Sequence, residues 1–202
     1  MADSLVYTGD SETVGANMRQ SNAGGVPERK WFIALVKQNT EAYCCKQVQQ
    51  FGYEAYVASQ QETRVYANRH RRIVSRVVIP GILFIRATEE ERIRILKTCS
   101  FIPAFMTNKA SKPNEFGRRP MAVVPDFQIE TLKFMLYHAD APVCFTSNLI
   151  QLGDRVRVIR GPLAGFEGFV IRDDKKTEFV VNIDFLGTAK TSVAVEDIEK
   201  IV

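Results

Sequence analysis

The chain has 202 residues, enough for one medium domain or two small ones, and its 46% hydrophobic and 10% aromatic content excludes wholesale disorder. No apolar run approaches the roughly eighteen residues of a membrane-spanning helix. The acidic start MADSLVYTGDSETVG carries no apolar signal core, so a cytoplasmic protein is expected. Residues 1–29, rich in Ser, Asn and Gly with no sustained period, read as a flexible leader. Order is expected from Trp31, where WFIALV suits a strand buried on both faces. A helix follows, capped by Asn39 or Thr40, with Ala42, Cys45 and Val48 on one face and Gly52 as its stop. YEAYVA reads as a strand, and a polar segment from Ser59 leads to an apolar run, Val77–Ile85, interrupted by Pro80-Gly81, where a bulge or sheet edge belongs. Thr88 and Glu91 fit a capping box for a second helix carrying Ile93 and Leu96 to Cys99. FIPAFMTN reads as a strand, KASKPNEFGRRP as a loop, and Asp126 opens a third helix with Ile129, Leu132, Met135 and Leu136 on one stripe.

This order predicts an α+β N-terminal domain over 30–139, an antiparallel sheet with flanking helices. ADAPVCFTSN lies in an expected linker, 140–149. From 150 to 202 the signal is all strand: about five short strands, which predict a small β-barrel.

Charge divides the same way. Residues 31–140 carry sixteen basic and ten acidic side chains, whereas 141–202 carry eight and nine. An anionic partner is therefore expected on the middle segment. Arg64, Arg69, His70, Arg71, Arg72 and Arg76 fall in a stretch with no acidic residue. Arginine suits phosphate because its planar fork donates bidentately and stays charged. The competing reading is a solvated hairpin kept soluble by its charge. Lys37, Arg92 and Arg94 are further nucleic-acid candidates, and Arg118 and Arg119 lie in the basic loop.

Catalytic signals are missing from the pattern. Cys44 and Cys45 are adjacent, Cys99 and Cys144 stand alone, and with two histidines no metal spacing arises. The stretch GDRVRVIRGPLAGFEGFV is dense in glycine, but no lysine and hydroxyl follow Gly161 or Gly168 as a phosphate loop requires, and FVI after Gly168 is strand, not helix. Its glycines read instead as corners of a small barrel. No enzyme, cofactor or metal is expected.

GDRVRVIRGPLAGFEG resembles the KOW motif, with Gly153, Gly161, Pro162, Gly165 and Gly168 at its turns. WFIALV, the helix ending at Gly52 and VIPGILFI resemble the N-terminal domain of NusG-type transcription factors. Together the two cover residues 31–202 in the family's order. The unusual leader and diverged N-terminal domain are similar to specialised paralogues of the UpxY type, which regulate capsular polysaccharide operons. The resemblance implies a non-enzymatic, monomeric transcription elongation or antitermination factor. Its N-terminal domain would dock on RNA polymerase through Ile79, Ile82, Phe84 and Phe105, residues that otherwise read as ordinary core. Where the family commonly has an aromatic after Pro-Gly, this chain has Ile82. The basic cluster would contact non-template DNA or nascent RNA. The KOW domain would recruit a protein, such as a ribosomal protein or termination factor. The alternative class is a ribosome- or RNA-associated KOW protein, which would use the arginines on structured RNA.

Overall fold

The computed structural model describes residues 27–65, 69–147, 153–173 and 176–201; the expected leader up to residue 26 lies outside them. Five strands make the N-terminal sheet: β1 (Lys30–Leu35), β2 (Glu54–Tyr56), β5 (Ile82–Ala87), β6 (Ala104–Phe105) and β7 (Val123–Val124). They run antiparallel in the order β2-β5-β1-β6, with β7 sharing the β6 edge of β1. The central strands β1 and β5 are continuously apolar because both of their faces are covered. In register, Ile33 opposes Phe84 and Phe32 opposes Ile85. Alternation sorts Trp31, Ile33, Ile82 and Phe84 into one layer and Phe32, Ala34, Leu83 and Ile85 into the other.

Helices α1 (Glu41–Gln50) and α2 (Glu89–Thr98) cover the second layer, and α3 (Asp126–His138) covers the first. The capping box of α2 is complete: the Glu91 amide donates to the Thr88 hydroxyl at 3.2 Å, and the Thr88 amide donates to the Glu91 carboxylate at 2.8 Å. The α3 stripe turns inward as its spacing requires, with Ile129, Leu132, Met135 and Leu136 buried. On α1 the buried positions are Glu41, Cys44 and Val48; Cys45 is half-buried against the same layer, and Ala42 is exposed. On α2 the buried positions are Arg92 and Ile95, while Ile93 and Leu96 are exposed. In short helices with one or two apolar positions per turn, tertiary contact chooses between neighbouring stripes.

Pro80-Gly81 forms a turn, so the expected run Val77–Ile85 is two strands. Gly81, at φ +75°, donates its amide to the carboxylate of the buried Glu41 on α1 at 2.7 Å. Before that turn, β3 (Ser59–Val65) and β4 (Arg71–Val77) form a separate antiparallel hairpin. The polar segment from Ser59 is therefore strand, with few apolar residues because most of its length is solvated.

The C-terminal sheet holds β8 (Cys144–Thr146), β9 (Asp154–Val158), β10 (Glu167–Asp173), β11 (Lys176–Ile183), β12 (Gly187–Ser192) and β13 (Ile198–Lys200). Their order is β13-β9-β10-β11-β12-β8, all antiparallel, a path that does not close on itself among the described residues. β8 comes from the segment expected to be linker. Gly168 sits in β10 against the fully buried Phe179 ring, where an added Cβ would lie 2.3 Å from the ring edge. The core of this sheet (Val156, Val170, Phe179, Ile183) is continuous with the α3 layer. Among the described residues no helix is long and apolar enough to cross a membrane.

Candidate functional site

The β3–β4 hairpin places the basic cluster. Arg64 pairs across the strands with Arg72, and Val65 with Arg71. Arg69 takes a positive φ of 61° at the turn. Arg69, Arg71 and Arg72 are exposed, and none of the three makes an ion pair with an acidic side chain among the described residues. His70 is exposed beside them. Toward the hairpin base the picture changes. Glu62 accepts from Arg64 Nε at 2.5 Å and from Arg76 Nε at 3.0 Å. The Arg64 hydrogen bond, foremost, holds the Glu62 carboxyl below the usual carboxylate range. Arg76 also donates from Nη2 to the Val143 carbonyl at 2.9 Å. The cluster thus splits into an uncompensated tip and a neutralised base.

The outlying candidates do not join it. Arg92 is 7% exposed, bonded to Glu89 on its own helix and stacked 5.8 and 5.5 Å from the ring centroids of Phe32 and Phe105. It is a packed cation-π residue, and this burial removes it from the nucleic-acid set. Arg94 and Lys37 are exposed, but on α2 and just after β1, neither of which pairs with the hairpin. Arg118 and Arg119 are exposed in their loop, and the Arg119 guanidinium donates to the Lys109 carbonyl.

The expected polymerase patch is core. Ile79, Ile82, Phe84 and Phe105 are exposed by 3%, 8%, 0% and 7%. Ile82 and Phe84 do share a face, but β5 is a central strand and α3 lies over that face. Phe105 belongs to the opposite layer, edge-on to Phe32 at 6.2 Å. Tyr56 stacks on Phe84 at 6.2 Å, and burial pushes its phenol pKa up. Above it an open groove of about 900 Å³ runs between the hairpin base and α3, lined by Ser59, Gln61, Lys133, Tyr137 and His138 among others. Lys133 Nζ lies 4.6 Å from the Trp31 ring centroid and 5.1 Å from that of Tyr56. Tyr137 is 84% exposed on the groove rim. Sequence reasoning passed over this residue because it lies off the apolar stripe of α3.

The glycine-rich motif lies on the other half of the molecule. Gly161, Pro162 and Gly165 turn β9 into β10, with the Gly165 amide donating to the Val158 carbonyl at 2.7 Å, and Gly153 leads into β9. The arginines of β9 are paired: Arg155 Nη2 lies 2.9 Å and Arg157 Nη2 2.5 Å from Glu167 across the sheet. Lys200 meets Asp154 at 2.8 Å and Lys190 meets Glu178 at 2.7 Å. This half packs on α3, where Phe134 stacks on Phe166 with centroids 3.8 Å apart and the Asp184 amide donates to Gln128 Oε1 at 2.9 Å.

The family model described as "Transcription termination factor nusG" matches residues 29–126. Among solved structures, "Domain interaction in Thermotoga maritima NusG" is 18% identical, covers 87% of this chain and 98% of its own, and superposes with a TM-score of 0.43. A chain of the MjSpt4:Spt5 complex in conformation A is 15% identical, covers 85% of this chain and 97% of its own, with a TM-score of 0.26. In conformation B the figures are 15%, 85%, 96% and 0.27. No curated protein sequence matches the chain.

Proposed function

The chain belongs to the NusG family through residues 29–126, and from that premise we propose that it is a transcription regulator which binds RNA polymerase and nucleic acid and catalyses no reaction. The observation that carries the nucleic-acid part is the hairpin tip, where Arg69, Arg71 and Arg72 are exposed without acidic partners among the described residues. Phosphate oxygens satisfy such guanidinium forks. Exposed arginines with no counter-charge nearby raise the local concentration of a polyanion. The near-neutral C-terminal half, its described charges largely paired, suits a protein partner better than RNA. That balance disfavours the reading as an RNA-associated KOW protein.

Because Ile82 and Phe84 lie beneath α3, a substitution such as Ile82→Asp tests folding and not contact. The apolar contact with polymerase falls instead to the groove rim above them, where Tyr137 is the exposed aromatic. Aromatic side chains of this kind dominate the binding energy of many interfaces. Retention on immobilised core RNA polymerase tests this reading. The full chain is expected to bind, and Tyr137→Ala to weaken binding by about tenfold or more. A full chain that does not bind core polymerase at low salt overturns the proposal. For the hairpin, three phosphate contacts to a single strand give a slope of log affinity against log salt of about −2. A flat response overturns the nucleic-acid part.

A further inference from the structure

Residues 108–120, NKASKPNEFGRRP, join β6 to β7 and carry four basic side chains, one acidic one and a single aromatic. Proline, asparagine and glycine at this density favour tight turns over helix. The base of the loop is zipped. The Ala122 amide donates to the Met106 carbonyl at 2.9 Å and the Asn108 amide to the Pro120 carbonyl at 2.8 Å, with Thr107 bridged to Met121 between them. At the tip the Gly117 amide donates to the Asn114 carbonyl at 2.9 Å, and the Asn114 amide to the Arg118 carbonyl at 2.8 Å. The Asn114 side-chain oxygen accepts from the amides of Phe116 and Arg118 at 3.1 and 2.9 Å. Gly117 supplies the positive φ, +70°, that closes a short hairpin of this kind. Lower down, the Arg119 guanidinium donates to the Lys109 carbonyl across the loop. The tip is thus pinned by its own backbone, and the ring it presents, Phe116, is 83% exposed.

A large apolar side chain held in water on a pinned turn forgoes the burial that stabilises the rest of the fold. Its surroundings say what it suits. Lys109, Lys112, Arg118 and Arg119 are exposed around it, and neither they nor Glu115 make an ion pair among the described residues. Protein interfaces centre on contiguous apolar patches depleted of charge, and an isolated ring among unpaired cations is the reverse. One aromatic face beside several phosphate-binding cations is the arrangement that holds a single nucleic-acid strand without regard to sequence. A duplex keeps its base faces stacked out of reach of such a tip, whereas an unpaired strand exposes them. The loop is also separate from the basic hairpin. It leaves the sheet at the β6 and β7 edge, while the hairpin follows β2 at the opposite edge.

We propose that the 108–120 loop is a second nucleic-acid contact, in which Phe116 stacks on an unpaired base and Lys112, Arg118 and Arg119 take the flanking phosphates. It rests on the nucleic-acid reading above for the class of partner, and on none of that reading's residues. The ring supplies affinity that depends on a base being present, and the cations supply affinity that depends on salt. Stacking and phosphate pairing read neither base identity nor sugar, so the partner is an unpaired polynucleotide strand of any sequence.

The test measures binding of the full chain to a short oligothymidylate, with an abasic strand of equal length as the phosphate-only control. The wild type is expected to prefer oligothymidylate. Phe116→Ala and Phe116→Leu should bind it about tenfold more weakly at an unchanged salt slope, and should bind the abasic strand as the wild type does. Phe116→Tyr, which keeps a ring, should restore the preference. Lys112→Gln with Arg118→Gln should instead flatten the salt slope by about 1.4 on both strands. Trp31 is the sole tryptophan and is 3% exposed. Phe116→Trp therefore adds a reporter whose fluorescence oligothymidylate should quench and the abasic strand should not. Unchanged affinity in Phe116→Ala, or equal binding of both strands by the wild type, overturns the proposal. So does a Phe116→Ala variant that loses retention on core polymerase but keeps oligothymidylate, since the ring then serves a protein. Oligouridylate should show the same dependence on Phe116, and its absence there overturns the sugar-blind contact. Arg69, Arg71 and Arg72 changed together to Gln separate this proposal from the hairpin reading. Weakening in Phe116→Ala but not in that variant leaves the loop standing and the hairpin reading fallen, and the opposite pattern does the reverse. A wild type that binds no oligonucleotide at low salt overturns both.

Discussion

Two strand pairs in this molecule carry runs of arginine, and they are electrostatic opposites. On β3–β4, Arg71 faces Val65, and Arg72 faces Arg64, whose charge Glu62 of its own strand already meets, so the register sets no acid across from either tip arginine. On β9–β10, Arg157 faces Glu167, which also holds Arg155. Residue type is the same in both places, and strand pairing is antiparallel in both. The difference lies in which residue the register sets opposite. With no acid set opposite them, Arg71 and Arg72 keep their charge at the surface. The β9 arginines spend their charge within the sheet. An arginine count alone does not separate a paired cationic surface from an unpaired one; the register does.

The largest effect expected from disturbing this contrast comes from Gly168→Ala. The new methyl carbon would lie 2.3 Å from Cζ and 2.6 Å from Cε2 of Phe179, whose ring is wholly buried and has no space to yield. Overpacking of this kind costs about 2–3 kcal/mol. Gly168 pairs with Val156, one step from the Glu167–Arg157 pair, so the same shift frees the β9 arginines. Chemical denaturation should show the C-terminal sheet losing stability while the N-terminal sheet keeps its own. An unchanged midpoint would mean the ring is not fixed by Gly168.

Much of this was legible in the sequence where the signal is local. The Thr88–Glu91 capping box needs only four residues, and both of its bonds are present. The α3 stripe repeats over three turns, long enough to decide its face. The turn at Gly161, Pro162 and Gly165 was readable from its residue types, whereas Gly168, expected at a barrel corner, lies within β10 against Phe179, in a sheet whose path does not close among the described residues. What escaped was set by residues far apart in the chain. The arginine stretch 64–76 contains no acid, yet Glu62, two residues before it, neutralises Arg64 and Arg76. Arg92 looked like a surface charge until Phe32 and Phe105, from two other strands, enclosed it. Period two placed Ile82 and Phe84 on one face but said nothing of what covers it. The burial of the expected patch by α3 is a fact of topology. Gln60, whose side chain bonds the backbone of Ala139, Ala141 and Val143, carried no signal at all, since these partners are about eighty residues away.

A smaller but more direct effect follows from removing the tip charges. Arg69, Arg71 and Arg72 changed together to Gln should lower affinity for oligothymidylate and flatten the salt slope by about 2. Because the three side chains make no ion pairs among the described residues, the thermal midpoint should stay or rise slightly as cross-strand repulsion is relieved. The matching change on the other strand pair, Arg155 and Arg157 to Gln, should leave the salt slope where it was. A slope that falls as much for the β9 pair as for the hairpin triad would erase the contrast between the two regions.

The smallest effect is the release of the β9 arginines without disturbing the fold, and acid titration provides it. The hydrogen bond from Arg157, foremost, holds the Glu167 carboxyl below the usual value of 4.5, with Arg155 adding to it. A carboxyl whose pKa is lowered by folding contributes stability above its unfolded pKa, and that contribution is lost as pH falls through the folded pKa. From neutral pH down to about the ordinary glutamate range, therefore, nothing should change. Below it Glu167 protonates, Arg155 and Arg157 lose their counter-charge, and β9 comes to resemble the hairpin tip. Carboxyl carbon shifts should give a Glu167 midpoint below that of an unstructured glutamate. Glu167→Gln should reproduce the acid state at neutral pH as a slight gain in oligothymidylate affinity, strongest at low salt because the pair is solvent-exposed. A Glu167 midpoint at or above the ordinary value would mean that the β9 arginines are not held by it, and the opposition between the two strand pairs would then have no electrostatic basis.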